Sequence, residues 1–256
     1  MATSVSAPTV SRPAPRPTAP PEPFDYESIP AGYYDEVFRR GRGMQSKWHH
    51  LKFARVAREL EGHRRVLDVG CGPGTLAGNF ADGHDWVGTD LSARQIAYAR
   101  REYGRTGARF YRETPAGVPS DEGPFDAVTM VELIEHLEPA VVDATIGEAL
   151  ERLRPGGKLV ITTPNFHSAW PALETAVNRF GDVSYGFQHI NRFVPARLEE
   201  LLARHGLAAP RAEQFLLLGP FAAALGWRAA DVVARLDGGA QRRLGLLLIG
   251  SAYKPQ

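Results

Sequence analysis

The chain has 256 residues, a formal net charge of +1 at pH 7 and a hydrophobic content of 43%, which suits one large α/β domain or two small ones. Because basic and acidic residues are interleaved, the charge pattern disfavours a duplex nucleic-acid binder, and we expect no nucleic-acid partner. The lone cysteine, Cys71, excludes an internal disulfide and suits a reducing, cytoplasmic location. No apolar run reaches the roughly 18 residues of a membrane span and no secretory signal is visible, although peripheral membrane contact stays open.

The amino-terminal stretch differs in composition from the rest of the chain. Residues 1–23 contain seven of the 20 prolines, together with Ser, Thr and Ala. This composition predicts a disordered or polyproline-like leader. We therefore expect one domain over residues 24–256, preceded by this leader.

After the leader, predicted helices and strands alternate. Helices are expected at residues 45–61, 74–82, 92–104, about 141–153 and 195–206, and strands at 64–70, 84–90, 108–113, 125–131 and 158–164. Ser92 has the position of an N-cap for the helix at 92–104, and Gly206 is expected to close the helix at 195–206. Pro155-Gly156-Gly157 is expected to end the helix at about 141–153. This order predicts a mostly parallel sheet with helices on both faces.

Two segments interrupt the alternation. Residues 165–190 place Trp170, Phe180, Tyr185 and Phe187 among prolines and glycines, just after a strand. An insertion at that point is where a substrate cover would lie, and an ordinary packed excursion is the alternative. Further on, QFLLLGPFAAALGW and RLGLLLIGSAY predict either final strands with a helix between them or an apolar wall for a hydrophobic substrate.

The stretch VLDVGCGPG, residues 66–74, leads from a strand through glycines into a helix. Gly70, Gly72 and Gly74 remove side chains where a ligand must approach the main chain. Their spacing differs from the dinucleotide fingerprint G-x-G-x-x-G, which disfavours a nicotinamide oxidoreductase. Asp68, inside the strand end, would suit a ligand with an ammonium group, such as S-adenosylmethionine.

A second acid supports this interpretation. Asp90 ends the next strand, twenty residues after Gly70, where a carboxylate can accept hydrogen bonds from both hydroxyls of a ribose. A helix cap beside Ser92 is the structural alternative for Asp90.

Taken with the strand and helix order, these motifs resemble those of class I S-adenosylmethionine-dependent methyltransferases. VLDVGCGPG is similar to the first motif of that family, GTDLS to the second, FDAVTMVELIEHL to the fourth-strand motif and LRPGGKLVITTPN to the fifth. The resemblance implies a Rossmann-like, seven-stranded, mostly parallel sheet whose last strand is antiparallel. It also implies that Asp68 and the glycine loop, including Cys71 as a small filler, lie at the methionine end of the cofactor. Asp90 would bind the ribose and Leu91 would contact the adenine.

Several segments further resemble the O-methyltransferases of ubiquinone biosynthesis, namely RETPAG, MVELIEHLEPAVV, TPNFHSAW and QHINRFVPARLEELL. From this resemblance Lys52 takes the place of a basic residue near the cofactor carboxylate, and Thr114 and Val131 line the cofactor pocket. The carboxyl-terminal region around GPFAAALGW and the leader depart from that branch.

The string ELIEH places Glu132, Glu135 and His136 at i, i+3 and i+4, which is one face if the segment is helical. Together with His189, these residues could hold a divalent ion such as Mg²⁺, which would polarise an acceptor hydroxyl. Without a metal, Glu135 contacts a neighbouring loop and His136 or His189 acts as the base or merely packs. We expect His49 and His50 to be solvated helix residues and His167 to be a loop residue.

The sequence favours methylation of a hydroxyl on a hydrophobic or aromatic small molecule. N- or C-methylation, an RNA 3′-end 2′-O-methyltransferase and a non-catalytic S-adenosylmethionine-binding scaffold are the alternatives. The sequence leaves the acceptor and the oligomeric state open.

Overall fold

The computed structural model describes residues 29–180 and 189–256, in which a seven-stranded sheet is flanked by helices. The strands are β1 (Arg65–Val69), β2 (Asp85–Thr89), β3 (Arg109–Tyr111), β4 (Phe125–Val131), β5 (Leu153–Pro164), β6 (Ala208–Phe215) and β7 (Leu247–Tyr253). The helices are α1 (Tyr33–Arg39), α2 (Gly43–Glu59), α3 (Thr75–Asn79), α4 (Ala93–Tyr103), α5 (Pro139–Arg152), α6 (Trp170–Phe180), α7 (Pro195–Arg204), α8 (Gly219–Ala222), α9 (Trp227–Leu236) and α10 (Gly238–Leu244).

The order of the strands in the sheet is β3-β2-β1-β4-β5-β7-β6. Neighbours from β3 to β5 are parallel, whereas β7 is antiparallel to both β5 and β6. This topology confirms the predicted α/β fold, including its antiparallel last strand. Because the chain moves outward in opposite directions from β1 and β4, a crevice opens at the carboxyl ends of these two strands, where open α/β sheets bind ligands.

The central strands are buried on both faces, and their alternating side chains feed two separate cores. On β1, Leu67 and Val69 pack into one core, while Val66 packs into the other. On β5, Ile161 and Val160 divide in the same way. Strands covered on both sides read as continuous apolar runs, which is the pattern of RVLDV and KLVIT.

The boundary between α5 and β5 differs from the prediction. The helix begins at Pro139, and the Pro155-Gly156-Gly157 turn that was expected to end it lies inside β5. There the Gly156 N–H donates to the carbonyl of Lys254, and the Lys254 N–H donates to the carbonyl of Gly157, both at 2.9 Å. These contacts with a distant part of the chain extend the strand through a register shift against β4.

Beyond β6, the chain forms three helices, α8 to α10, and then returns as β7. Final strands with helical structure between them are thus the alternative that the structure adopts. Within the predicted insertion, α6 carries Trp170, whereas Tyr185 and Phe187 fall in residues 181–188, outside the described part of the chain. The predicted leader, residues 1–23, also lies outside it, so the division into leader and one domain stays a prediction. In the described ranges, no helix is both long and apolar enough to cross a membrane.

Glu59, near the end of α2, and Lys158, on β5, form a buried ion pair away from the crevice. Lys158 Nζ donates to Glu59 Oε2 at 2.5 Å, and Arg211 Nη2 donates to the same oxygen at 2.7 Å. Burial alone would raise the pKa of Glu59, but the hydrogen bonds from Lys158 and Arg55 outweigh it and lower this pKa to about 2. Ionised Glu59 therefore stabilises the fold above its unfolded pKa of about 4, and this contribution is lost as the pH falls towards 2.

We expect Glu59→Gln to lower the free energy of unfolding by about 3–5 kcal/mol at neutral pH, because Lys158 keeps a buried charge without its partner. Urea denaturation measures the change, which should shrink near pH 3. Glu61→Gln, at an exposed position two residues away, is the control and should change stability by less than about 0.5 kcal/mol. Equal stability of the two variants would contradict the prediction.

Candidate active site

The loop between β1 and α3 has a backbone conformation that requires glycine. Gly70, Gly72 and Gly74 have φ values of 72°, 52° and 76°. A Cβ on Gly70 would lie 2.8 Å from Leu133 Cδ1, and one on Gly74 would lie 2.8 Å from the ring of Phe110. A Cβ on Gly72 would meet no atom within 4 Å. Gly70 and Gly74 thus serve both turn and packing, and Gly72 leaves room for a ligand against the main chain.

Asp90, directly after β2, connects this loop to the start of α4. Its Oδ2 accepts a hydrogen bond from the Gly72 N–H at 2.9 Å, and its Oδ1 accepts one from the Ser92 N–H at 2.8 Å. Ser92 is the N-cap of α4, as predicted, because its hydroxyl accepts from the Gln95 N–H. Each carboxylate oxygen carries two lone pairs, so an oxygen that accepts from a backbone N–H can also accept from a ribose hydroxyl.

Asp68, at the end of β1, is 3% exposed and accepts a hydrogen bond from Thr129 Oγ1 at 2.7 Å. Burial raises the pKa of Asp68 to about 7, and the charge of Asp90 contributes to the shift, while the Thr129 hydrogen bond opposes it. An approaching cationic group stabilises a buried carboxyl in this state, since a nearby positive charge favours the ionised form of the carboxyl.

Lys52, a buried residue of α2, reaches the same end of the sheet. Its Nζ lies 3.4 Å from Glu132 Oε2, just beyond β4. Among the described residues, Glu132 is the partner that this lysine contacts by an ion pair.

The other residues predicted for the cofactor pocket differ in exposure. Cys71 is buried, with its Sγ beside Gly88, and burial raises the pKa of its thiol well above the usual value. Leu91 is 66% exposed next to Asp90, which leaves its side chain free to cover a flat ring. Thr114 is exposed and precedes a short turn of 3₁₀-helix, and Val131 is half-buried at the end of β4. The roles of these four residues stay predictions.

The segment ELIEH does not form the helix on which Glu132, Glu135 and His136 would share one face. Glu132 has a left-handed backbone with φ of 54°, and only Ile134–His136 form a single turn of 3₁₀-helix. The Glu132 N–H donates to the Thr162 carbonyl, which keeps this residue against β5. Glu132 is consequently turned towards Lys52 and does not share a helix face with Glu135 and His136.

Glu135, His136 and His189 do come together. One ligand atom from each lies within 4.8 Å of the other two, and the rings of His136 and His189 are 5.0 Å apart. Glu132 is not a member of this group among the described residues. Of the four residues predicted to bind a metal, the structure therefore assembles three.

The Glu135 side chain is the buried member of this cluster, and neither of its carboxylate oxygens has a hydrogen-bond partner among the described residues. Burial raises the pKa of Glu135 well above its usual value, and the charge of Glu132 adds to the shift. The nearby Thr163 hydroxyl opposes this shift without forming a well-aligned hydrogen bond. Buried carboxylates in this condition are common where a protein binds cations or transfers protons.

Helix α6 supplies Glu174, a site residue that the sequence analysis did not identify. His189 Nδ1 lies 2.5 Å from Glu174 Oε1, across fifteen residues of chain. Trp170, one turn earlier on α6, has its ring 6.1 Å from His189 and 5.6 Å from Trp48. Trp170 is buried, and its indole N–H has no hydrogen-bond partner within the described ranges. In the sequence, the i, i+4 spacing of Trp170 and Glu174 is the pattern that could have indicated that these two side chains share a helix face.

The other histidines divide as follows. His49 is 9% exposed, so the expectation of a solvated residue is wrong, and burial lowers the pKa of His49 well below its usual value. His50 is half-buried and stacks on Phe38 with a ring separation of 3.9 Å. His167 is an exposed loop residue, as expected.

Comparison with known proteins places these residues in a wider group. The family described as "Methyltransferase domain" matches residues 41–209. The chain is 31% identical over 159 residues to a probable S-adenosylmethionine-dependent methyltransferase of Mycolicibacterium smegmatis, covering 62% of this chain and 57% of that protein. It is 37% identical over 120 residues to a ubiquinone biosynthesis O-methyltransferase of Chelativorans sp., covering 46% of each chain. The chain thus spans about half the length of these curated relatives.

Among solved structures, a SAM-dependent methyltransferase from Archaeoglobus fulgidus superposes with a TM-score of 0.58 at 19% identity, covering 87% of this chain and all of the other. At this identity the similarity establishes the fold. It agrees with the class I methyltransferase topology expected from the motifs.

The raised pKa of Asp68 predicts a pH-dependent affinity for S-adenosylmethionine. Below about pH 7 the carboxyl is protonated and gives an ammonium group no charge, so affinity should rise as the pH increases from about 5.5 to 7.5. Calorimetric titration of the wild type should give at least about a tenfold change across this range.

Asp68→Asn should remove most of this pH dependence, whereas Asp90→Ala should weaken binding at every pH. Asp82→Asn, which changes an exposed carboxylate before the amino end of β2, away from the glycine loop, is the matched control. An unchanged pH profile in Asp68→Asn would show that another group causes the dependence.

Proposed function

The chain belongs to the family of methyltransferase domains, and we propose that it transfers the methyl group of S-adenosylmethionine to a hydroxyl of a hydrophobic or aromatic small molecule. The observation that carries the proposal is the cluster of Glu135, His136 and His189, with Glu174 on His189, at the crevice beside the glycine loop. The cluster supplies groups that can remove a proton from a hydroxyl, and the loop supplies a place for the methyl donor.

The cofactor half of the proposal depends on three polar groups around the glycine loop. Asp90 has acceptor capacity for the ribose, Asp68 favours an ammonium group, and Lys52 can bind a carboxylate in place of Glu132. Together they match an amino acid joined to a nucleoside, which is the chemical form of S-adenosylmethionine.

The acceptor half depends on the aromatic surroundings of His189. Trp48, Trp170 and Phe166 lie around this residue or its neighbours, and an apolar aromatic wall favours a ring-containing or hydrophobic acceptor. The indole N–H of Trp170, which has no partner among residues 29–180 and 189–256, can donate a hydrogen bond to an acceptor oxygen. The ubiquinone biosynthesis O-methyltransferases among the relatives support methylation at oxygen.

The transfer itself requires alignment and proton removal. S-adenosylmethionine, when bound, supplies an electrophilic methyl group on its sulfonium sulfur. The chain aligns an acceptor oxygen with that group and excludes water, an effect that can be worth about 7–11 kcal/mol. Because the Glu174 carboxylate accepts a hydrogen bond, the His189 proton resides on Nδ1, and Nε2 presents a lone pair that takes the proton of the acceptor hydroxyl.

The same cluster also fits a divalent metal ion. Glu135 offers two buried oxygens without partners among the described residues, and His136 and His189 offer imidazole nitrogens close by. The contact of His189 with Glu174 is the kind of carboxylate support that metal-binding histidines commonly have. Two imidazoles and one carboxylate suit Mn²⁺ and other transition ions at least as well as Mg²⁺. A bound ion would polarise the acceptor hydroxyl and favour its deprotonated form.

We expect His189→Gln to lower kcat about 10²- to 10⁴-fold with little change in the affinity for S-adenosylmethionine. Turnover is measured on a panel of catechols and other hydroxylated aromatics, with mass spectrometry detecting the addition of one methyl group. His167→Gln, at the exposed loop histidine, should keep wild-type kcat. Full activity of His189→Gln on every accepted substrate would rule out the base.

Glu174→Gln tests the positioning role separately, because a glutamine keeps the shape but removes the charge that supports His189. We expect a loss of kcat smaller than that of His189→Gln, with the affinity for S-adenosylmethionine and the melting temperature unchanged, since the imidazole loses the carboxylate that orients its ring. A loss of kcat that follows an equal loss of affinity or of melting temperature would indicate a structural role only.

The metal is tested without reference to turnover. After treatment with EDTA, Mn²⁺ or Mg²⁺ should raise the melting temperature of the wild type, by an amount equivalent to about 2.7 kcal/mol at one hundred times the dissociation constant. Glu135→Gln should abolish this shift, while Glu138→Gln, at an exposed position, should retain it. If neither ion changes the melting temperature and EDTA leaves turnover intact, His189 acts without a metal.

A further inference from the structure

The segment between β6 and β7 lies at the same edge of the sheet as the crevice. β7 begins at Leu247, which pairs with Pro164 at the carboxyl end of β5, and also with Phe215 at the end of β6. Helices α8 and α9 therefore start and finish at the carboxyl edge, and both pack on α2, which carries Trp48 and Lys52 of the candidate active site.

Helix α9 attaches to α2 through one face only. Lys47 Nζ donates to Asp231 at 2.6 Å and lies 4.2 Å from the centre of the Trp227 ring, and Ala230 is fully buried. The opposite face consists of Arg228, Val232, Arg235 and Leu236, which are spaced i, i+4, i+7 and i+8 and are all exposed.

This exposed face carries large apolar side chains, which a solvent-facing helix surface normally lacks. Val232 is 51% exposed and Leu236 is 79% exposed, and nearby turns expose Leu225 at 85% and Leu244 at 58%. Single exposed leucines are ordinary, but four large apolar side chains within twenty residues of one small subregion mark an interaction surface.

The charge on this subregion is one-sided. Residues 218–245 contain four arginines, and none of them makes an ion pair with another residue in the described ranges; they are Arg228, Arg235, Arg242 and Arg243. The two acids of this stretch are already engaged, since Asp231 pairs with Lys47 and Asp237 Oδ2 accepts from the Leu218 N–H at 2.8 Å. The outward surface is therefore basic and apolar at once.

We propose that this surface, formed by Leu225, Val232, Leu236, Leu244 and the four arginines, docks the protein on an anionic lipid bilayer. Apolar side chains that enter the boundary between headgroups and acyl chains, with arginines at the level of the phosphates, are the arrangement by which peripheral proteins bind membranes. The crevice lies at the same edge of the sheet, so docking brings the aromatic chamber near a surface in which hydrophobic acceptors dissolve.

Charge complementarity favours a bilayer over a second copy of the chain. An isologous dimer through this face would bring its four arginines towards the four of the partner, and like charges across an interface cost free energy. An anionic lipid surface instead supplies phosphates to each arginine without requiring one fixed geometry.

The test is co-sedimentation of the full chain with vesicles, and it is independent of turnover. We expect binding to vesicles with about 30 mol% phosphatidylglycerol and at least about tenfold weaker binding to pure phosphatidylcholine, with loss of binding as salt rises. Arg228→Glu/Arg235→Glu and Leu225→Ser/Leu236→Ser should each lower partitioning at least about tenfold, because all four positions are exposed and each pair removes one of the two contributions.

Matched controls are Arg105→Glu, in the exposed turn after α4, and Val141→Ser, exposed on α5; both variants should bind vesicles as the wild type does. Unchanged affinity for S-adenosylmethionine shows that each variant is folded, and it keeps a failure of docking distinct from a failure of the methyltransferase. The proposal is overturned if the full chain ignores anionic vesicles. It is equally overturned if light scattering shows a dimer that Leu225→Ser/Leu236→Ser converts to a monomer.

Discussion

Two buried carboxylates without a lysine or arginine partner determine the character of the crevice. Asp68 is 3% exposed and Glu135 is fully buried, and the described residues pair neither with such a cation. Taking a carboxylate out of water costs several kcal/mol unless hydrogen bonds or a counter-charge offset it, and the pKa values of both groups rise in consequence. The two cores on either side of the sheet stabilise the fold enough to keep these acids in place. A cation or a proton that arrives with a ligand would therefore stabilise these two acids and favour binding in the crevice.

Glu59 shows that burial alone does not produce this behaviour. It is nearly as buried as Asp68, but Lys158, Arg55 and Arg211 surround it, and its pKa falls to about 2. The fold therefore contains fully compensated acids where only stability is at stake. Uncompensated acids occur at the carboxyl ends of β1 and β4, where the strand order reverses. The position of these buried acids without a cationic partner identifies the functional edge of the sheet.

The predictable parts of this protein are those determined by short stretches of sequence. The strand–loop–helix around VLDVGCGPG, the acid at the end of β2 and the Ser92 cap all depend on neighbours within a few residues, and they match the structure. The left-handed backbone of Glu132 depends on a hydrogen bond to β5, so the residue spacing in ELIEH could not show whether these side chains share a helix face. The contact of Glu174 with His189 likewise arises from the path of α6, which short-range patterns do not specify. His49 is buried because it packs beside Tyr34 and Phe53. The local sequence does not specify the contact with Tyr34, so His49 was expected in solvent.

Glu132 connects the two halves of the crevice. Its carboxylate contacts Lys52 on the cofactor side, and its charge contributes to the raised pKa of Glu135 on the acceptor side. Under the proposed function, a cofactor carboxylate that binds Lys52 competes with Glu132 for the same ammonium. Glu132 then loses its counter-charge 3.4 Å away, and the negative potential around Glu135 becomes stronger. A stronger negative potential favours a divalent ion at the cluster, and thermodynamic linkage requires that such an ion in turn favours cofactor binding. The left-handed backbone of Glu132 is therefore the feature that lets one side chain respond to both sites.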